Sequence, residues 1–242
     1  MIPSKENMEL ANLVGDWLKN EVAPVCGEYD EKNEFPEKLY EQMTELGLNI
    51  MCTPEEYGGL DLSAVAQTLI AEQLGRYEVG LGSAVGANAS ATHLMNQFGS
   101  PEQKKIFFDI LVNGGWAAFC LTEPNAGSDA GSVTTTAEES EDGYVINGTK
   151  CFITNGGIAG VYLVFASMDR SLGVKGISCF LVERDREGIS IGKHENKMGI
   201  RLSNTTEVVL DHVKVPKDHL IGLQGKGYKM AMATLCESRV NV

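Results

Sequence analysis

A chain of 242 residues with 43% hydrophobic composition can bury a core as one large domain or two modest ones. Its 20 lysines and arginines against 33 aspartates and glutamates give a formal charge of −13, a field that repels nucleic-acid phosphates and anionic lipid, although backbone N–H groups can still build a local phosphate pocket. Six cysteines without C-x-x-C spacing exclude a zinc or redox dithiol motif and suit a reduced, intracellular chain.

The opening MIPSKENMEL has neither signal-peptide nor transit-peptide character, and no apolar run approaches the ~18 residues of a spanning helix. A soluble, cytoplasmic protein is therefore expected. From Glu6 to Val22 the apolar positions Met8, Leu10, Leu13, Val14, Trp17, Leu18 and Val22 recur at three- and four-residue spacing, which predicts one amphipathic helix. The same reasoning predicts helices over Pro36–Leu46, Ala64–Leu74, Gly82–Phe98 and, after a Ser100-Pro101-Glu102 start, Glu102–Leu111, with Pro54–Gly59 as a loop.

Beyond Trp116 the helical period gives way to short runs rich in Val, Ile, Thr and Phe between Gly, Asn and Asp turns. Gly143–Gly148, Val161–Ala166, Gly176–Val182 and Thr206–Leu210 read as strands of an antiparallel β-domain, the last with one wet face. From Gly225 to Val242 the pattern is helical again, with no stop signal, so a truncated protein is expected. The expected division is 1–117 helical, 118–225 β, and 226–242 the start of a further helical domain.

Two stretches carry candidate chemistry. Phe119-Cys120-Leu121-Thr122-Glu123-Pro124-Asn125-Ala126-Gly127-Ser128-Asp129-Ala130-Gly131-Ser132 is a loop of small residues and hydroxyls, in which consecutive N–H groups can hold a phosphate. An ordinary turn explains its composition equally well. Asn147-Gly148-Thr149-Lys150-Cys151-Phe152-Ile153-Thr154-Asn155-Gly156-Gly157 reads as a hairpin turn feeding a short strand and a second turn. His93, His194, His212 and His219 have no ligand spacing, Glu55-Glu56 reads as solvated charge, and Met230 and Met232 read as core filler.

Together, the Thr-Glu-Pro-x-Ala-Gly-Ser-Asp loop and the aromatic-Ile-Thr-Asn-Gly strand resemble the acyl-CoA dehydrogenase family in order and separation. The resemblance continues through the Glu-Glu-Tyr-Gly-Gly loop, Lys197-Met198-Gly199-Ile200-Arg201-Leu202-Ser203-Asn204-Thr205 and Val213-Lys214-Val215-Pro216. It implies an α+β fold: a helical N-terminal domain, then an antiparallel β-domain of orthogonal sheets or barrel-like form, then the first helix of a C-terminal bundle.

By position, the resemblance implies that Phe119, Leu121 and Thr122 line the isoalloxazine ring of FAD, and that Gly127 and Ser128 lie by its pyrophosphate, Ser128 also reaching CoA. Phe152 would cover the flavin, where relatives usually carry Trp, with Ile153 contributing backbone and Thr154 a hydroxyl near N5. Arg239 would help hold the acyl-CoA substrate, with Cys236 where an acidic residue is usual. The implied reaction is α,β-dehydrogenation of acyl-CoA thioesters or the reverse enoyl-CoA reduction, with electron-transfer flavoprotein as acceptor and a homotetramer as the assembly. The catalytic base would be a Glu of the C-terminal domain beyond Val242, so no catalytic residue is assigned and the chain alone is expected to be inactive. Two alternatives stay open: a short, non-catalytic homologue that binds FAD, acyl-CoA or a partner, and a flavin oxidase or monooxygenase. No G-x-G-x-x-G motif follows a strand, so a Rossmann sheet is not expected.

Overall fold

The computed structural model describes residues 3–239, which run as helices, then strands, then one helix. Helix α1 (Lys5–Trp17) begins where the Ser4 side chain accepts the Asn7 N–H at 3.1 Å, and one π-turn, Leu18–Val22, extends it. Its buried stripe is narrower than the sequence spacing suggests. Ala11, Val14, Leu18 and Val22 are buried, whereas Met8 and Leu13 are 52% and 56% exposed. The reason is that α1 packs mainly against α4 (Ala64–Tyr77), and one neighbour covers one line of residues. The short helix α2 (Cys26–Lys32) was not foreseen, because it buries no side chain and so has no apolar stripe to read.

Helices α3 (Glu37–Glu45), α4, α5 (Val79–Phe98) and α6 (Pro101–Val112) fall on the remaining periodic segments. The Ser100 and Gln103 capping box, with Pro101 in the first turn, starts α6 as its sequence indicates. The Pro54–Gly59 loop contains a single 3-10 turn, Glu55–Tyr57. Helix α7 (Gly227–Ser238) follows the strands, and the expected continuation through Val240–Val242 lies outside the described residues.

Eight strands, β1 (Ala117–Cys120), β2 (Thr136–Glu139), β3 (Gly143–Thr154), β4 (Val161–Ser167), β5 (Ile177–Glu183), β6 (Ile189–His194), β7 (Thr205–Pro216) and β8 (Leu220–Ile221), form one sheet. Their order is β6-β7-β3-β2-β4-β5-β8, with β1 beside β4. Most pairs are antiparallel, as expected, but β1 and β2 both run parallel to β4. Alternation in a sequence reports which face is buried; it carries no information about the direction of the neighbouring strand. Every residue of β4 is buried, because its two faces meet different cores. Leu163 and Phe165 pack with Phe107 and Leu111 of α6, while Tyr162 and Val164 pack with Ile146 and Val208 of the sheet.

The expected hairpin turn at Asn147-Gly148 is absent. Strand β3 continues through it, and the extra residue is on β7, where His212 takes φ 54 and donates its N–H to Asn147 Oδ1 at 2.8 Å. Gly148 serves a close approach: a Cβ there would stand 2.4 Å from Thr135 Oγ1. No helix among the described residues is long and apolar enough to cross a membrane.

Candidate functional site

Strand β1 delivers the chain into the loop 121–135, whose first residues are fixed from β3. The buried Leu121 carbonyl accepts from Lys150 Nζ at 3.2 Å, and the Thr122 carbonyl accepts from the Cys151 N–H at 3.0 Å. Glu123 and Ala126 then exchange both backbone hydrogen bonds at 3.1 Å, which folds Pro124 and Asn125 into a tight turn. Past this turn Ala126 and Ala130 are buried while Gly127, Ser128 and Asp129 face solvent. A Cβ on Gly127 would meet nothing within 4 Å, so the space over the loop is open.

Facing the start of the loop is a bulge in β3. Lys150 pairs with Val208 and Ile153 with Thr206, so Cys151 and Phe152 stand opposite Glu207 alone. Phe152 takes φ 54 and remains 62% exposed. A left-handed conformation costs an L-residue about 1–2 kcal/mol, and an exposed ring recovers little of that by burial. Packing within the chain therefore does not account for Phe152. Ile153 turns inward and is buried, and Thr154 lies half-buried opposite Thr205. The Thr122 N–H and the hydroxyls of Thr122 and Thr154 have no hydrogen-bond partner among the described residues.

Beneath this surface lies an ion pair whose two residues stand in the two sequence motifs, with no role evident from the motifs themselves. Lys150 and Glu123 are buried, with Nζ 2.7 Å from Oε1. Lys150 also donates to Phe165 O at 2.6 Å, so its three protons are all used. Glu123 accepts the Thr134 N–H at 2.7 Å, the Thr134 hydroxyl at 2.5 Å and the Thr135 N–H at 3.0 Å. Burial alone would raise the Glu123 carboxyl, but the Lys150 charge and these donors outweigh it and hold it down to about 2. Burial pushes the Lys150 ammonium below the usual lysine range, against the pull of Glu123. The filled hydrogen-bond sets on both sides mark an ionised pair. The signal available in the sequence was a lone lysine inside a strand that otherwise alternates toward the core.

Asn155 locks the end of β3. At φ 64 and fully buried, it donates from Nδ2 to Ala84 O at 2.9 Å and Ala117 O at 3.3 Å, and from its N–H to Asn204 O at 2.8 Å. Helix α5, β1 and the residue that leads into β7 are thereby held around the bulge. The structure thus brings Leu121, Thr122, Phe152, Ile153 and Thr154 together, with Gly127 and Ser128 on the same loop. Phe119 is half-buried with its ring 4.9 Å from that of Phe165, facing the core. Arg239 lies apart, exposed in the turn after α7, and Cys236 is exposed within α7, which packs against α5 and β5. Among the described residues no group of His, Cys, Asp or Glu could hold a metal ion.

The chain thus runs as helices, a mixed sheet and a further helix, with an open small-residue loop against an exposed aromatic. Residues 4–115 match the family model for the acyl-CoA dehydrogenase N-terminal domain, and residues 118–213 match that for the middle domain. The chain belongs to the acyl-CoA dehydrogenase family. It is 39% identical over 241 residues to a short-chain-specific acyl-CoA dehydrogenase of Clostridium acetobutylicum, covering 99% of this chain and 64% of that protein. It superposes on butyryl-CoA dehydrogenase from Megasphaera elsdenii with a TM-score of 0.94 at 38% identity, covering 100% of this chain and 64% of that one. An acyl-CoA dehydrogenase from Bacillus anthracis complexed with FAD gives a TM-score of 0.89 at 38% identity, covering 99% of this chain and 41% of that one.

Proposed function

We propose that FAD binds across the loop 121–135 and the Phe152 bulge, and that the whole protein catalyses α,β-dehydrogenation of acyl-CoA thioesters or the reverse reduction. The observation that carries this reading is Phe152, an aromatic face held out in a strained conformation beside unpartnered donors. The residues suit the group: a flat ring with a hydrogen-bonding edge needs a stacking face, an N–H and hydroxyls, and Phe152, Thr122 and Thr154 offer them. The open backbone at Gly127 and Ser128 suits a pyrophosphate. When bound, FAD would accept a hydride from the acyl β-carbon, or return one in the opposite direction.

In this reading Phe152 covers one face of the ring and Ile153 keeps that strand in place from the core. Leu121 and Phe119 shape the apolar wall behind the ring, and the Thr122 and Thr154 donors meet its polar edge. Ser128 lies where FAD and the CoA portion of the substrate meet, and Arg239 steadies the substrate from the turn after α7. No residue of this chain is assigned as the proton-abstracting base. An electron-transfer flavoprotein as acceptor, a homo-oligomeric assembly and a cytoplasmic location complete the proposal.

The test is an FAD titration, read by quenching of flavin fluorescence, on the whole protein and its Phe152→Ala variant, followed by anaerobic addition of a panel of acyl-CoA thioesters. Loss of the stacking face should weaken FAD binding about tenfold, which is ~1.4 kcal/mol, and acyl-CoA should bleach the wild-type flavin. Equal affinity in both proteins would remove the flavin from Phe152. A bound flavin that no acyl-CoA bleaches would leave a binding protein without this chemistry.

A further inference from the structure

The buried pair Lys150 and Glu123 lies directly behind the proposed flavin contact, and its geometry does more than fill space. Lys150 Nζ donates to the carbonyl of Leu121, which belongs to the same peptide unit as the N–H of Thr122. That unit is trans, since the described residues contain no cis peptide bond, so the carbonyl and the N–H point to opposite sides of the chain. The cation sits on one side and the unpartnered Thr122 N–H points away on the other. On its far side, the Thr122 carbonyl is held by the Cys151 N–H at 3.0 Å. The aim of the N–H is therefore set from both flanks, by two consecutive residues of β3.

We infer that Lys150, kept charged by Glu123, is a positioning residue that polarises the Leu121–Thr122 peptide and so strengthens the Thr122 N–H as a donor to the flavin. The inference rests on the reading that FAD lies against Thr122. An ammonium on a carbonyl oxygen draws electron density from the amide, and hydrogen bonds in such chains strengthen one another. Both side chains are withdrawn from solvent, with 0% and 1% of the side-chain surface exposed, so water does little to screen the effect. Because Glu123 neutralises the charge, the pair presents a dipole to the site, with its positive end at Leu121. A donor fixed and polarised in advance acts most where negative charge develops, which here is the reduced ring. A purely structural role makes a different forecast, because it changes stability and the affinities for oxidised and reduced flavin alike.

The experiment compares wild type, Lys150→Met/Glu123→Leu and Lys150→Arg in the FAD-loaded protein, measuring the affinities for oxidised and reduced FAD alongside urea unfolding. The double variant leaves the Thr134 and Thr135 N–H groups and the Leu121 and Phe165 carbonyls without these partners and should unfold at lower urea than wild type, but while folded it should lose about tenfold more affinity for reduced than for oxidised FAD, a potential ~30 mV more negative for a two-electron couple. Lys150→Arg keeps the cation and should hold that ratio within about twofold of wild type. A folded double variant with the wild-type ratio overturns the positioning role and leaves the FAD site standing. A tenfold fall in the ratio in folded Lys150→Arg overturns it equally. Wild-type protein that binds no FAD overturns the underlying site, and this role with it.

Discussion

Two loops of this molecule are each tied down by a lysine, and they differ in what the lysine meets. In the loop 121–135 the tie is Lys150, wholly buried and matched by a carboxylate at 2.7 Å. In the 195–204 loop it is Lys197, half-buried, which donates to Ser203 O at 2.5 Å and Thr205 Oγ1 at 2.7 Å. There Arg201 adds bonds to Lys197 O at 2.7 Å and Asp30 O at 3.1 Å. Water can replace the second set of partners and cannot replace the first, so the same residue type is a core element in one loop and a surface tie in the other. The second loop accordingly leaves Met198 fully exposed and holds Ile200 at φ 51 without burying it.

The harshest way to break this comparison is Lys150→Met alone, which strands the Glu123 charge in the core. It should cost about 3–5 kcal/mol, read from urea unfolding. A loss below about 1 kcal/mol, the range of an exposed pair, would mean that water reaches Glu123 and that the two loops do not differ.

Acid probes the same pair without that mutation. The folded Glu123 carboxyl is lowered from an ordinary value of 4.5 to about 2. Its contribution is therefore complete above the unfolded value and is lost as pH falls through the window between the two. Wild type should lose stability steeply between about pH 4.5 and 2, and Glu123→Gln should flatten that slope. Superimposable pH profiles would contradict the assignment.

Thr154 sharpens the contrast from the strand between the loops, since it pairs with Thr205, the residue that Lys197 also holds. In the FAD-loaded whole protein, Thr154→Val should slow substrate-driven flavin reduction about ten- to hundredfold, the worth of one hydrogen bond of ~1.5–3 kcal/mol to a charge-developing group. Stopped-flow rates within about twofold of wild type would remove Thr154 from the site. The smallest effect is expected from Lys197→Ala, at most about 1 kcal/mol in urea unfolding. A loss as large as that of Lys150→Met would erase the distinction between the loops.

Much of this molecule was legible in its sequence. The periods of α3 to α6 and the continuous apolar run of β4 follow from which faces must leave water, and local spacing records that. The small-residue loop and the Phe152 segment were legible as patterns, and their pairing pointed to one site. Only the tertiary structure decided that Met8 and Leu13 stay exposed, that β1 and β2 run parallel to β4, that Asn147-Gly148 is not a turn, and that Phe152 is held out on a bulge. It alone placed Lys150 against Leu121, Glu123 and Phe165, residues 29, 27 and 15 positions away. Burial depth, strand direction and bulge position are set by contacts between residues distant along the chain, and local periodicity carries no record of those contacts.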